Sequence, residues 1–184
     1  DWSTGQILKT LKDLGLDDNT LVIFTSDNGS NGRDGGSNAP LRGRKGQTLE
    51  GGQRVPCVMR WPGKIPAGKT CDELTSTIDV LPTFAKLAGT AAPTDRIIDG
   101  RDIMPLMAGA KDAKSPHEAF YFYQMDQLQA VRSGDWKLEI GLESRKRNWG
   151  KPEGKSTRKL FNLKKDIHED KDVSAANPDR SEER

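Results

Sequence analysis

The chain has 184 residues, 29 of them basic and 27 acidic, for a formal net charge of +2. That length holds one domain, or a domain with a small companion, and so balanced a charge argues against a general nucleic-acid binder. With 33% apolar residues and 19 glycines the sequence describes a globular chain with long polar loops, and no apolar run reaches the roughly 18 residues of a membrane span. It opens Asp1-Trp2-Ser3, without a starting Met or a signal-peptide pattern, so it is expected to be a piece of something longer.

The first predicted element is a helix over 3–14, where Ile7, Leu8, Leu11 and Leu14 share one face and Gly15 supplies a stop. Asp17-Asp18-Asn19 make a turn. The run Thr20-Leu21-Val22-Ile23-Phe24-Thr25 lacks polar alternation and predicts a strand covered on both faces, as in a parallel sheet. Helix, turn and buried strand together indicate an α/β layer. From Gly29 to Gly52 the chain holds eight glycines and no periodicity, the mark of a long functional or disordered loop. Residues 54–60 form a second predicted strand, with Pro56 at an edge or bulge. A helix is predicted over 79–87, capped by Asp79 with Pro82 in its first turn and Gly89 beyond its end. A short apolar stretch, 103–107, closes this part.

After Ser115-Pro116 the signals become antiparallel. Residues 120–123 are strand-like, 128–132 and 136–140 flank the turn Ser133-Gly134-Asp135, and 160–163 add a further strand. The alternation of Trp136, Leu138 and Ile140 predicts that their side of the strand is buried. A boundary is placed at 114: residues 1–114 form the larger α/β part and 115–184 a small α+β unit. The segment 145–159 carries seven basic side chains and one acidic. It is either a solvated loop, the expected reading, or an anion-binding patch. The last dozen residues are polar and expected to fray.

Cys57 and Cys71 are too few for a disulfide framework or a zinc site. One bridge is conceivable, but two unbridged thiols are expected. Gly63-Lys64-Ile65-Pro66-Ala67-Gly68-Lys69-Thr70 matches the phosphate-binding P-loop pattern. Yet Pro66 removes a backbone N–H that such a loop needs, and 71–76 shows no helical face. An exposed Pro/Gly turn is the expectation.

Two segments carry chemistry. Asp27-Asn28-Gly29 ends the first predicted strand, where ligands gather in open α/β sheets. It reads either as a turn or as a carboxylate and an amide oxygen offered to a divalent cation. The segment from Leu41 to Gly52 flanks Lys45 with glycines, which let the backbone approach an anion such as sulfate or phosphate closely. A flexible basic loop is its alternative.

The combination of Ser26-Asp27-Asn28-Gly29 with Gly43-x-Lys45-Gly46-x-x-x-Glu50-Gly51-Gly52 closely resembles the sulfatase family, most of all the arylsulfatase A type. The resemblance continues through Arg54-Val55-Pro56, Trp61-Pro62-Gly63, residues 78–83, residues 130–138, and Leu160-Phe161-Asn162-Leu163 with Asp166 and Glu169. It implies the C-terminal part of an alkaline-phosphatase-like α/β fold followed by a small α+β subdomain with an antiparallel sheet. It also implies hydrolysis of a sulfate ester to alcohol plus sulfate, with Asp27 and Asn28 among the ligands of Ca2+ or a similar divalent cation and Lys45 on the sulfate. The family's nucleophile is a formylglycine made from Cys or Ser in a Cys/Ser-x-Pro-x-Arg motif. No such motif occurs here: Cys57 is followed by Val58-Met59 and Cys71 by Asp72-Glu73. The nucleophile is therefore expected outside this chain, and the isolated 184 residues are expected to be inactive. Expected substrates are sulfated small molecules, glycans or glycolipids, in the periplasm, outside the cell or in lysosomes. The alternatives are a phosphate or phosphonate ester hydrolase of the same superfamily, a P-loop nucleotide binder, and a non-catalytic module.

Overall fold

The computed structural model describes residues 1–33, 35–140 and 157–181. The chain divides into two compact units, one of Asp1–Thr25 with Pro56–His117 and one of Ser26–Val55 with Glu118–Arg184. The chain crosses between them three times, at 25–26, 55–56 and 117–118. The units group Ser26–Val55 with the later sheet rather than with the first part of the chain.

In the first unit, α1 (Trp2–Asp13) stops where expected. Gly15 takes φ +68°, its N–H bonds Lys12 O at 3.1 Å, and Leu16 N–H bonds Leu11 O at 2.9 Å, which together satisfy the last helical carbonyls. β1 (Val22–Thr25) pairs with β2 (Cys57–Arg60), Val22 opposite Arg60 and Thr25 opposite Cys57. This pairing is antiparallel, and Phe24 is 55% and Val58 62% exposed. The strand covered on both faces that the apolar run predicts is thus not found among the described residues. The sequence carries the apolar side chains, but among the described residues Phe24 stays more than half exposed. Arg60 grips Asp17 through both carboxylate oxygens, at 2.6 and 2.8 Å.

A 3₁₀ turn at Thr77–Asp79 leads into α3 (Val80–Leu87), with Pro82 in the first turn as expected. Asp79 is completely buried, but its carboxylate does not cap α3. It reaches back to Ser76 N–H at 2.8 Å, accepts Arg101 N–H at 2.8 Å and meets His117 Nε2 at 2.7 Å. The hydroxyl of Thr83 donates to Asp79 O and accepts Ile103 N–H, linking α3 to the start of α4 (Met104–Met107). Ile103, Leu106 and Met107 form the core here, with Leu21, Met59 and Ile65 packed on it. The P-loop lookalike at 63–70 is a run of turns with no helix behind it. Cys57 and Cys71 are free and exposed.

The second unit is a four-stranded antiparallel sheet in the order β3-β4-β5-β6, comprising β3 (Phe120–Gln124), β4 (Gln127–Ser133), β5 (Trp136–Glu139) and β6 (Lys159–Asn162). The hairpin joining β4 and β5 turns at Gly134, φ +54°. On β5 the buried residue is Lys137, whereas Trp136 and Leu138 are half-exposed. The alternation of aromatic and aliphatic residues picks the wrong face because a lysine with buried partners takes the inner position. Up to Ser181, the last residue described, the tail holds more regular structure than expected. After a 3₁₀ turn at Ser174–Ala176 comes α5 (Pro178–Ser181), with Arg180 stacked 4.9 Å from the Trp136 ring and Ser181 O bonded by Arg158 at 2.8 Å. Most of the basic segment 145–159 lies outside the described residues.

Candidate functional site

Asp27, Asn28 and Lys45 all belong to the second unit. The chain leaves β1 at Thr25, and Ser26 shapes the turn: its hydroxyl lies 3.0 Å from Asn28 O and 3.4 Å from Asp27 Oδ1. Asp27 is exposed and Asn28 half-buried. Gly29 follows, fully buried, because its backbone must pass against the far end of the lysine-bearing loop. Gly29 N–H bonds Gly52 O at 3.1 Å, and a Cβ on Gly29 would stand 1.8 Å from Gly51 O.

The loop around Lys45 folds on itself by backbone bonds. Gly51 N–H reaches Arg42 O at 2.7 Å, Gln47 N–H reaches Arg44 O at 3.0 Å, and Gln47 Oε1 accepts Arg44 N–H at 3.0 Å. Gly43 and Gly46 hold φ of +97° and +82°, open to glycine and strained for other residues. Lys45 N–H bonds Ser30 O at 3.1 Å, which sets the lysine backbone beside the chain that has just left Asn28. Asn38 completes this join: Oδ1 accepts Ser30 N–H at 2.7 Å while Nδ2 donates to Ser30 O and to Gly43 O. The structure therefore brings the backbone of Lys45 against the Asp27–Ser30 turn, with the Lys45 side chain exposed.

The donors of this turn suit a hard cation in kind. Asp27 offers carboxylate oxygens and Asn28 an amide oxygen, whereas calcium takes six to eight oxygens. Among the described residues no group of three or more His, Cys, Asp or Glu is gathered for an ion. The pair fits part of a coordination sphere. His117 lies in the first unit against Asp79, and His168 bonds Asp170 at 2.8 Å.

Sequence reasoning missed the base of the loop. α2 (Glu50–Gln53) is a helical turn inside the stretch expected to be irregular. Its first residue, Glu50, is buried against Lys137 at 3.0 Å and Arg132 at 3.2 Å, and its N–H bonds Glu169 Oε2 at 2.8 Å. Burial raises the Glu169 carboxyl above its ordinary value, although the neighbouring Lys137 pulls it down. Glutamate, lysine and arginine are among the residues least often buried, and these partners lie 82 to 119 positions from Glu50 in sequence, so no local pattern signals the cluster. The nearby Asp166 is held below the usual range, chiefly by the Lys171 N–H.

The sulfatase family model matches residues 1–90. Steryl-sulfatase of Rattus norvegicus is 52% identical over 139 residues, which is 71% of this chain and 24% of that protein. N-acetylgalactosamine-6-sulfatase of Canis lupus familiaris is 45% identical over 144 residues, covering 76% of this chain and 27% of that protein. The chain belongs to the sulfatase family. The sulfatase PsFucS1 from Pseudoalteromonas sp. superposes with a TM-score of 0.81 at 30% identity, over 92% of this chain and 36% of that one. The fold class is thus the α/β, alkaline-phosphatase-like sulfatase fold, of which these residues form a part that includes an antiparallel sheet. The chain spans about a quarter of the length of the curated sulfatases it matches.

Proposed function

We propose that this chain is the portion of a sulfuric ester hydrolase that supplies the sulfate-contacting lysine and part of a cation site. The observation that carries the reading is the backbone join of Lys45 to Ser30, just past Asp27 and Asn28, within a sulfatase-family sequence. Cleaving a sulfate ester builds negative charge on the leaving oxygen and on the peripheral sulfate oxygens. A fixed ammonium aimed at those oxygens stabilises that charge without reorganising when the reaction occurs. Lys45, exposed on a loop held by backbone bonds, is assigned this role. Asp27 and Asn28 are assigned as two ligands of Ca2+ or a similar cation, which when bound polarises the sulfate.

No residue of this chain sits in a formylglycine motif, so the nucleophile and the remaining ligands are assigned to parts of the protein outside these residues. The larger-domain portion 1–114 and the subdomain 115–184 remain the proposed domain division. The curated relatives above are named as steryl and N-acetylgalactosamine-6 sulfatases, which favours a sulfated sterol or sulfated amino sugar over a phosphonate substrate. A periplasmic, extracellular or lysosomal setting is proposed with it.

The test is turnover of an aryl sulfate by the full-length protein before and after Lys45→Ala. A fall in kcat of about 10²-fold is expected, the loss typical of one such contact. Unchanged turnover would remove Lys45 from the mechanism. Asp27→Ala should weaken activation by added calcium, read as a rightward shift of the calcium titration.

A further inference from the structure

Four charged side chains, two acidic and two basic, are withdrawn from solvent in the unit built on β3–β6. Lys137 on β5 is 0% exposed. Its ammonium lies 3.0 Å from Glu50 Oε1 and 2.8 Å from Glu169 Oε1, donates to Thr48 O at 2.8 Å, and stands 4.4 Å from the centre of the Phe122 ring. Arg132, opposite Lys137 in the β4–β5 ladder, donates to the second oxygen of Glu50. Glu169 closes the circuit by accepting the Glu50 N–H, and does so from a left-handed backbone, φ 61°. A non-glycine residue holds that conformation only where its surroundings impose it.

Burying ion pairs is a poor route to stability, because desolvation offsets the attraction. What these contacts supply is location. Those to the Lys45 loop end on Thr48 and Glu50, at its base. Neutral side chains from the same sheet extend the pattern: Gln124 Nε2 donates to Gly46 O, next to Lys45, and Gln129 accepts the Thr48 hydroxyl. A loop with glycines at 43, 46, 51 and 52 has little intrinsic preference for one shape, so its shape comes from its attachments.

We propose that Lys137 is a positioning residue for sulfate ester hydrolysis: its buried ammonium, clamped between Glu50, Glu169 and the Thr48 carbonyl, fixes the base of the Gly43–Gly52 loop and thereby the placement of Lys45. This rests on the sulfatase reading above. The residue acts through Lys45 and does not itself touch the sulfate.

The experiment uses the full-length protein. Lys137→Met is expected to lower kcat for an aryl sulfate by about 10²-fold, the effect of a misplacement of roughly 1 Å. Combined with Lys45→Ala it should add almost nothing, since both changes remove the same contact. Amide hydrogen exchange should speed up over residues 43–52 while β3 and β6 keep their protection. The charge-balanced pair Lys137→Met with Glu169→Gln provides a second variant should the single change prevent folding, with the same losses expected. Losses that multiply in the double variant, or unchanged exchange over 43–52 in a folded variant, overturn the proposal. A wild-type protein without sulfatase turnover overturns the underlying reading instead. That failure is seen in the control, and exchange alone then decides whether the clamp exists.

Discussion

Gly29, Gly51 and Gly52 leave no room for a side chain. A Cβ at position 51 would stand 2.6 Å from Arg42 O, and one at position 52 would stand 2.2 Å from Gln47 O. Both neighbours are backbone and cannot swing aside, so Gly51→Ala should destabilise the protein by about 1–3 kcal/mol and lower Lys45-dependent turnover with it. Denaturant midpoints of the two proteins check the first effect. Gly5 is the opposite case. It lies inside α1 with nothing near its missing Cβ, so Gly5→Ala should raise stability by about 0.5–1 kcal/mol through helix propensity. The glycines of the lysine loop were visible in the sequence as a group. Which of them answer to close approach and which to positive φ was not visible, because that depends on what passes behind each one.

At the scale of elements, one carboxylate ties the approach to α3 to residues far along the chain. Asp79 satisfies the N–H groups of Ser76 and Arg101 and the imidazole of His117. Removing it by Asp79→Ala leaves partly buried donors without this acceptor, at up to about 1–3 kcal/mol each. A loss of more than one such unit is expected in the melting free energy, while Asp79→Asn should retain part of it. Elements with a strong periodic or turn signal were legible: α1, α3, the β4–β5 hairpin and β6 lie within a residue or two of their expected places. The sequence misled where partners far along the chain decide. Lys137 displaced the aromatic face of β5 from the inside because Glu50 and Glu169 await it, and neither is near it in sequence. The Asp27–Asn28 turn and the lysine loop were legible as segments. The Asn38 and Ser30 bonds that join them were not, since an asparagine in a polar loop carries no pattern of its own.

Across the whole chain, carboxylates held below their ordinary values set the acid limit. Glu73 is lowered from 4.5 first by the Ser115 N–H and then by Lys114, and Asp17 is lowered from 3.8 by Arg60. Their contribution to stability is complete above those ordinary values and is lost as pH falls through the lower folded ones. The sign is opposite for Glu169, whose raised value favours the protonated form and whose contribution declines as pH rises through it. Unfolding free energy should therefore drop below about pH 4, and Glu73→Gln should flatten that drop; melts at several pH values decide it. The same 184 residues expose Trp2 at 77% and Ile97 at 91%, along with Phe24 and Val58. Expressed alone they are expected to self-associate, read by sedimentation, and to show no aryl sulfate turnover. The Asn28-Gly29 dipeptide has a bearing on storage. Spontaneous deamidation at such a pair begins when the glycine nitrogen attacks the asparagine carboxamide to close a succinimide ring. Here that nitrogen is buried and engaged with Gly52 O, so folded samples should keep Asn28 intact on ageing while denatured ones accumulate aspartate and isoaspartate at the proposed cation ligand.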